Sequence, residues 1–146
     1  MKFEKFVLLI ILLGIGLSTY LTYLHFEVVD SSSFCDINNY LSCSTVNKSV
    51  YSIFLGVPVS IIGFVGLLLL GYLLLKKPKY HEALFFILSA TALVFMLYLA
   101  IVEVGVIKAL CILCLIVLLI VLIIFIYSLF NHRKHFLNFF KKIIFE

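Results

Sequence analysis

The sequence predicts an all-α membrane protein, a bundle of four transmembrane helices with a partly helical loop between helices one and two. Of the 146 residues, 65% are apolar, whereas soluble domains contain roughly 45–50%. The apolar residues gather into four segments, each near the ~20 residues that cross a bilayer. We expect one domain over residues 1–146, with helices at about 6–24, 54–75, 83–104 and 109–130.

The first segment is preceded by Lys2 and Lys5, as in a secretory signal peptide. It is too long for the apolar region of a signal peptide, and no A-x-A-like cleavage site follows it, so we expect a retained helix. Gly14 and Ser18 are four residues apart on this helix. Such a pair of small residues favours close packing against another helix.

The hydrophilic loop that follows is predicted to be partly helical. In "CDINNYLSC", Asp36 is a good N-cap and the apolar residues share one face, which predicts a short helix over residues 35–43. After Cys43, apolar residues recur every four positions at Val46, Val50 and Phe54. This spacing predicts a partial helix lying as a lid across the mouth of the bundle.

The second transmembrane segment opens with "LGVPVSIIGFVG". Pro58 fits near a helix start, where a missing N–H costs little. Gly56, Ser60 and Gly63 then recur at helical spacing. This face of small residues favours a helix–helix contact, and the alternative is that it leaves room for a flat ligand.

The distribution of Lys and Arg predicts the orientation of the bundle. With both termini in the cytoplasm, the inner side carries nine basic residues: Lys2, Lys5, Lys76, Lys77, Lys79, Arg133, Lys134, Lys141 and Lys142. The outer side carries two, Lys48 and Lys108. Because basic residues concentrate on the cytoplasmic side, we expect a multi-pass plasma-membrane protein with both termini inside. The net charge of +4 then reflects topology and contact with the lipid bilayer, and we expect no nucleic-acid partner.

This orientation puts all four cysteines on the extracytoplasmic side. Cys35 and Cys43 lie in the long loop, and Cys111 and Cys114 lie at the outer end of the fourth segment. Disulfides form and persist outside the cytoplasm. The clustering on that face therefore indicates redox chemistry.

Other interpretations of the cysteines remain open. Buried Cys111 and Cys114 would pack as small hydrophobes, and a Cys35–Cys43 bond would be a modest staple because it closes a short loop. Four thiolates would also form a zinc site. We expect no metal, since an oxidising compartment is a poor place for reduced ligands.

The redox interpretation accounts for more of the pattern. The unpaired N–H groups at a helix start favour a thiolate, and Cys114 lies roughly 4.5 Å deeper than Cys111 on nearly the same face. Two dithiols at different depths would pass electron pairs by thiol–disulfide exchange. The chain has neither a nucleotide-binding glycine motif nor a haem-type C-x-x-C-H, so a lipid-soluble quinone is the acceptor that fits.

The stretches "FCDINNYLSCSTV" and "SIFLGVPVSIIG", with "LCILC" opening the last helix, resemble the vitamin K epoxide reductase (VKOR) family. The resemblance covers about residues 8–130. It implies a four-helix bundle enclosing a quinone, such as menaquinone or ubiquinone. Many bacterial relatives carry a fused thioredoxin-like domain. None is seen here, so the resemblance implies a separate thioredoxin-like partner with its own C-x-x-C outside the cytoplasm.

The resemblance also implies roles for the four cysteines. Cys35 and Cys43 match the loop shuttle pair, and Cys111 and Cys114 match the active-site pair. Partner thiols would attack the loop disulfide, and Cys43 would then exchange with Cys111. Cys114 would finally reduce the quinone.

Further positions match residues near the family's active site. Ser49 matches a serine or threonine there, and Tyr51 lies near a position where vertebrate relatives carry an asparagine that would face the quinone. Leu118 stands where the vertebrate enzymes have a tyrosine. This departure favours a quinone reductase coupled to disulfide formation over an epoxide reductase sensitive to coumarin-type inhibitors.

Two functions from different classes follow. The first is a quinone-dependent membrane thiol oxidoreductase. The alternative is a non-enzymatic scaffold with four membrane spans, or a metal-binding membrane protein, in which the cysteines are structural. Redox cycling of the thiols with added quinone distinguishes them, because structural disulfides would not respond.

Overall fold

The computed structural model describes the backbone of residues 2–27 and 34–145, and the side chains of these residues except 135–143 and 145. Within these residues, four helices are long and apolar enough to cross a membrane: α1 (Lys2–Phe26), α3 (Val59–Lys76), α4 (His81–Val102) and α5 (Ile112–Phe145). The short helix α2 (Cys43–Asn47) lies in the loop after α1. The predicted all-α membrane bundle is confirmed.

The long helices form a closed ring. α1 packs against α3 and α5, and α4 packs against α3 and α5. Consecutive long helices run in opposite directions, so the start of α1 meets the end of α3, where Lys77 Nζ lies 2.7 Å from Glu4 Oε1. Helices suit this setting because each satisfies its backbone polar groups internally, as a bilayer requires.

The middle of the bundle is a cluster of aliphatic and aromatic side chains, which we call the central core: Val7, Ile10, Ile11, Leu67, Leu70, Phe85, Ile120 and Ile124. Gly14 and Ser18 face the interior and are buried. A Cβ added at Gly14 would lie 3.0 Å from Leu67 Cδ1. The predicted close packing at Gly14 is therefore confirmed, with α3 and α5 as its neighbours.

The predicted start of the second transmembrane helix at residue 54 is wrong. A small hairpin comes first, made of β1 (Ile53–Phe54) and β2 (Val57–Pro58). Its turn places Leu55 and Gly56 at φ values of 54° and 83°, which a right-handed helix does not allow. α3 begins only after Pro58, whose position at a helix start is confirmed.

The third and fourth predicted helices also differ from the structure at their ends. α4 ends at Val102 and passes into a π-helical segment, Glu103–Ile107. α5 begins at Ile112 instead of residue 109, and it continues to Phe145 instead of ending at 130. The late start has a tertiary cause, because Leu110 forms a bridge with Leu41 in the loop.

The predicted helix over residues 35–43 is wrong. The side-chain oxygen of Asn38 accepts the backbone N–H groups of Tyr40 and Leu41, which closes a turn. Asp36 instead binds the Ser42 hydroxyl and the Ser44 N–H. Ser42 is the N-cap of α2.

The lid prediction holds only in part. Helical structure is present in α2 and in a 3₁₀ turn at Val50–Ser52, so the loop is partly helical as expected. The three residues predicted to share one face do not, since Val46 is buried whereas Val50 and Phe54 are exposed. The helix is interrupted after Asn47, where Lys48 ends α2.

Candidate functional site

A backbone bridge positions the loop cysteines against the start of α5. The N–H of Leu110 donates to the carbonyl of Tyr40 (2.6 Å), and the N–H of Ser42 donates to the carbonyl of Leu110 (3.1 Å). Cys43 directly follows Ser42, and Cys111 directly follows Leu110. The bridge therefore holds these two cysteines side by side.

A second set of hydrogen bonds ties α2 to α1. Asn47 Nδ2 donates to the carbonyl of Leu21 (2.7 Å). His25 Nδ1 lies 2.7 Å from the carbonyl oxygen of Asn47, and it must donate because that oxygen only accepts. α2 is thus held both by α1 and, through the bridge, by the residues that precede α5.

Three of the four sulfurs lie together. Cys35 and Cys43 form a disulfide with a Cα–Cα distance of 5.6 Å. The sulfurs of Cys35, Cys43 and Cys111 all lie within 4.8 Å of one another, and Cys43 and Cys111 are fully buried. Cys111 and Cys114 are free thiols. The structure therefore holds a disulfide beside a dithiol.

Cys111 immediately precedes α5 and connects the disulfide to Cys114. The backbone N–H of Cys114 donates to Cys111 Sγ (3.3 Å), while the carbonyl of Cys111 accepts the N–H of Leu115 (3.0 Å). Cys111 thus caps the helix, rather than lying within its first turn as predicted.

The same three sulfurs have the spacing of a metal site. In the state described here, two of them are bonded to each other. Metal ligation requires deprotonated thiolates, so a metal would bind only after the loop disulfide is reduced. Disulfide exchange needs no such prior reduction, because the Cys35–Cys43 disulfide already lies beside the Cys111 thiol.

Cys114 opens onto a cavity inside the bundle, with a volume of about 80 Å³. Its lining includes the sequence-predicted residues Ser49, Tyr51 and Cys114, together with Leu118. Ser49 donates its hydroxyl to the carbonyl of Val46 (2.7 Å), and Tyr51 is half exposed. The structure thus brings all three predicted residues to one cavity.

The face of small residues on α3 contributes to the same cavity. Ser60 and Gly63 line it, whereas Gly56 lies in the hairpin turn. The Ser60 hydroxyl is buried and has no hydrogen-bond partner among the described residues. Since buried polar atoms are normally paired, this hydroxyl is available to a ligand in the cavity.

Sequence reasoning missed Glu103, which lines the cavity and is only 4% exposed. Its Oε2 accepts the backbone N–H of Cys111 (3.3 Å), and it lines the same cavity as Cys114. A signal for it existed, because an ionisable residue inside a predicted transmembrane helix is a functional candidate.

A four-helix membrane bundle that holds a disulfide beside a dithiol has the architecture of a membrane thiol oxidoreductase. The family model described as "Vitamin K epoxide reductase family" matches residues 5–129 of the 146-residue chain. The chain therefore belongs to the vitamin K epoxide reductase family, as its resemblance indicated, and is an oxidoreductase. No curated protein was found that matches it.

Proposed function

We propose that the protein passes electrons from an extracytoplasmic thioredoxin-like protein through Cys35 and Cys43 to Cys111 and Cys114, and then to a membrane quinone. Its role would be to sustain disulfide formation outside the cytoplasm. The observation that carries the proposal is the grouping of the Cys35, Cys43 and Cys111 sulfurs within 4.8 Å. At that separation a small sulfur movement suffices for exchange.

The order of exchange is supported by burial and position. Cys35 is 5% exposed, whereas Cys43 is fully buried, so partner thiols would meet Cys35 more readily. Once the loop pair is reduced, Cys43 would attack Cys111, its neighbour across the bridge. The Cys43–Cys111 bond would then be the intermediate that links the two pairs.

The cavity supports a quinone as acceptor. The family is generally quinone-linked, and the Ser60 hydroxyl is free to donate to a ring oxygen while Gly63 leaves space beside it. Ser49, Tyr51 and Cys114 would form the opposite contacts. A bound quinone, whether menaquinone, ubiquinone or a related compound, would accept the two electrons and two protons that Cys111 and Cys114 release on forming their disulfide.

The orientation is proposed from charge. Nine of the eleven Lys and Arg residues fall on the side of the bundle away from the cysteines, which favours cytoplasmic termini and extracytoplasmic cysteines. An extracytoplasmic site also agrees with the loop disulfide, because such bonds persist outside the cytoplasm.

The test uses the purified chain in lipid nanodiscs, with a reduced thioredoxin-like C-x-x-C protein as donor and menaquinone or ubiquinone as acceptor. We expect one hydroquinone for each partner disulfide formed, measured by absorbance and by thiol titration. Ser60→Ala should raise KM for quinone several-fold with less effect on kcat. Ser89→Ala is the matched control, since its hydroxyl donates within α4 to the carbonyl of Phe86.

Donor oxidation that proceeds equally well without quinone would contradict the proposal. Equal KM values for Ser60→Ala and Ser89→Ala would remove Ser60 from the quinone site but leave the relay standing.

A further inference from the structure

Glu103 is an ionisable residue in a buried position, which is energetically unfavourable for a charged side chain. It lies within the membrane-spanning segment that runs from His81 to Ile107, and it is 4% exposed. A buried carboxylate is strongly unfavourable unless it is paired, hydrogen-bonded or protonated. The backbone around it is π-helical, a local geometry that occurs frequently at functional sites.

The groups around Glu103 identify what it acts on. Its Oε2 accepts the backbone N–H of Cys111, and Cys114 lines the same cavity as Glu103. The other titratable cavity residue is Tyr51. His25 is bonded to the carbonyl of Asn47, and Lys108 at the end of the π-helical segment is exposed. Among the described residues, Cys114 is thus the thiol that shares the cavity with Glu103.

The proposed relay creates a problem of charge at Cys114. When Cys43 attacks Cys111 of a Cys111–Cys114 disulfide, Cys114 leaves with the electron pair of the broken bond. A thiolate in an apolar cavity is unfavourable because burial disfavours the charged form. A neighbouring carboxyl group can supply a proton as the bond breaks, and the charge then rests on a carboxylate that accepts the Cys111 N–H.

Building on the proposed function, we propose that Glu103 is a catalytic residue that carries the proton of Cys114 during disulfide exchange. In this step the Cys43–Cys111 bond forms, the Cys111–Cys114 bond breaks, and the Glu103 carboxyl proton moves to Cys114. One disulfide replaces another, so no oxidant is consumed, and the negative charge moves from the Cys43 thiolate to the Glu103 carboxylate. In the reverse direction Glu103 takes the proton back and Cys114 becomes the nucleophile.

The exchange can be isolated in a Cys35→Ser background without quinone or donor. This variant keeps Cys43, Cys111 and Cys114, which share one disulfide in two arrangements. After a jump from low to neutral pH, samples are acid-quenched and alkylated at successive times. Mass spectrometry then counts Cys43–Cys111 against Cys111–Cys114 bonds and gives the relaxation rate at each pH.

We expect Glu103→Gln to slow this relaxation by about 10²-fold or more, the usual range for loss of a general acid or base. The glutamine keeps an oxygen that can accept the Cys111 N–H, so a purely positioning role predicts little change. In the parent background, the relaxation rate should change in a step as the pH is varied. This step should disappear in Glu103→Gln, and its midpoint should move to another pH in Glu103→Asp. Glu82→Gln, the same change at the opposite end of α4, is the control, and its relaxation rate should equal that of the parent background.

Relaxation of Glu103→Gln at the parent rate across the pH range would overturn the proton role. If Glu103→Gln does not fold, an unchanged pH midpoint in Glu103→Asp would overturn it equally. Failure of the parent background to form any Cys43–Cys111 bond would instead contradict the relay of the proposed function, so the two failures are distinguishable.

Discussion

The central core and the cluster at the cysteine end are both buried, but they are held together differently. The central core consists of aliphatic and aromatic side chains on four helices, and its order comes from packing alone. The cluster at the cysteine end contains Leu21, Cys35, Cys43, Val46, Ala109 and Cys111. It is held by a backbone bridge, a disulfide and the hydrogen bonds of α2.

This difference separates stability from reactivity. Side chains in the central core have no group that exchanges bonds, so that region can remain fixed while the protein works. At the cysteine end, backbone hydrogen bonds place Cys43 beside Cys111 without a bond between their sulfurs. We therefore expect substitutions at the cysteine end to change activity and substitutions in the central core to change stability.

The largest effect is expected from Cys111→Ser. It removes the only sulfur within 4.8 Å of both loop cysteines among the described residues, so quinone-dependent oxidation of a partner dithiol should fall by at least about 10³-fold, as for other lost nucleophiles. The melting temperature in nanodiscs should change little, because Ser is close in size to Cys. Activity above a tenth of the parent value would break the assignment of Cys111 as the connecting sulfur.

Leu70→Ala should show the opposite pattern. Leu70 is 1% exposed in the central core, so its truncation should cost about 2–5 kcal/mol of unfolding free energy. Thiol oxidation at low temperature should stay near the parent rate. Leu69→Ala is the matched control, since Leu69 is next in sequence but 48% exposed. Equal melting temperatures for the two variants would contradict the packing described for α3.

The smallest effect is expected from Lys77→Ala at the end of the bundle away from the cysteines. Its ion pair with Glu4 is well exposed, at 46% and 39%, and exposed pairs contribute little and are screened by salt. The hydrogen bond with Glu4 raises the pKa of Lys77 above its usual 10.5. Any stabilisation is therefore present while Lys77 is charged and is lost as the pH rises through this raised value. Melting curves at pH 7 and physiological salt should coincide with the parent, and a clear loss of stability would show that this end is more than a solvated surface.

Most of the transmembrane architecture could be predicted because hydropathy is a property of composition over some twenty residues. Helix ends could not be predicted as well, since a single contact or a single tight turn decides each of them. The bridge between Leu41 and Leu110 delays the start of α5, and the left-handed turn at Leu55 and Gly56 delays α3. Asp36 was predicted to cap a helix over residues 35–43, but its side chain binds Ser42 and Ser44 at the start of α2.

The sequence by itself determined that this is a membrane bundle of four spans with its cysteines grouped near one end, because segment length and the spacing of cysteines are local properties. Only the tertiary structure decided which sulfurs meet. Cys43 and Cys111 are 68 residues apart in sequence and become neighbours through a backbone bridge that no local pattern encodes. The tertiary structure also decided that Glu103 shares a cavity with Cys114. Its helical position was readable, but its partner depends on how α4 and α5 pack and on the π-helical turn between them.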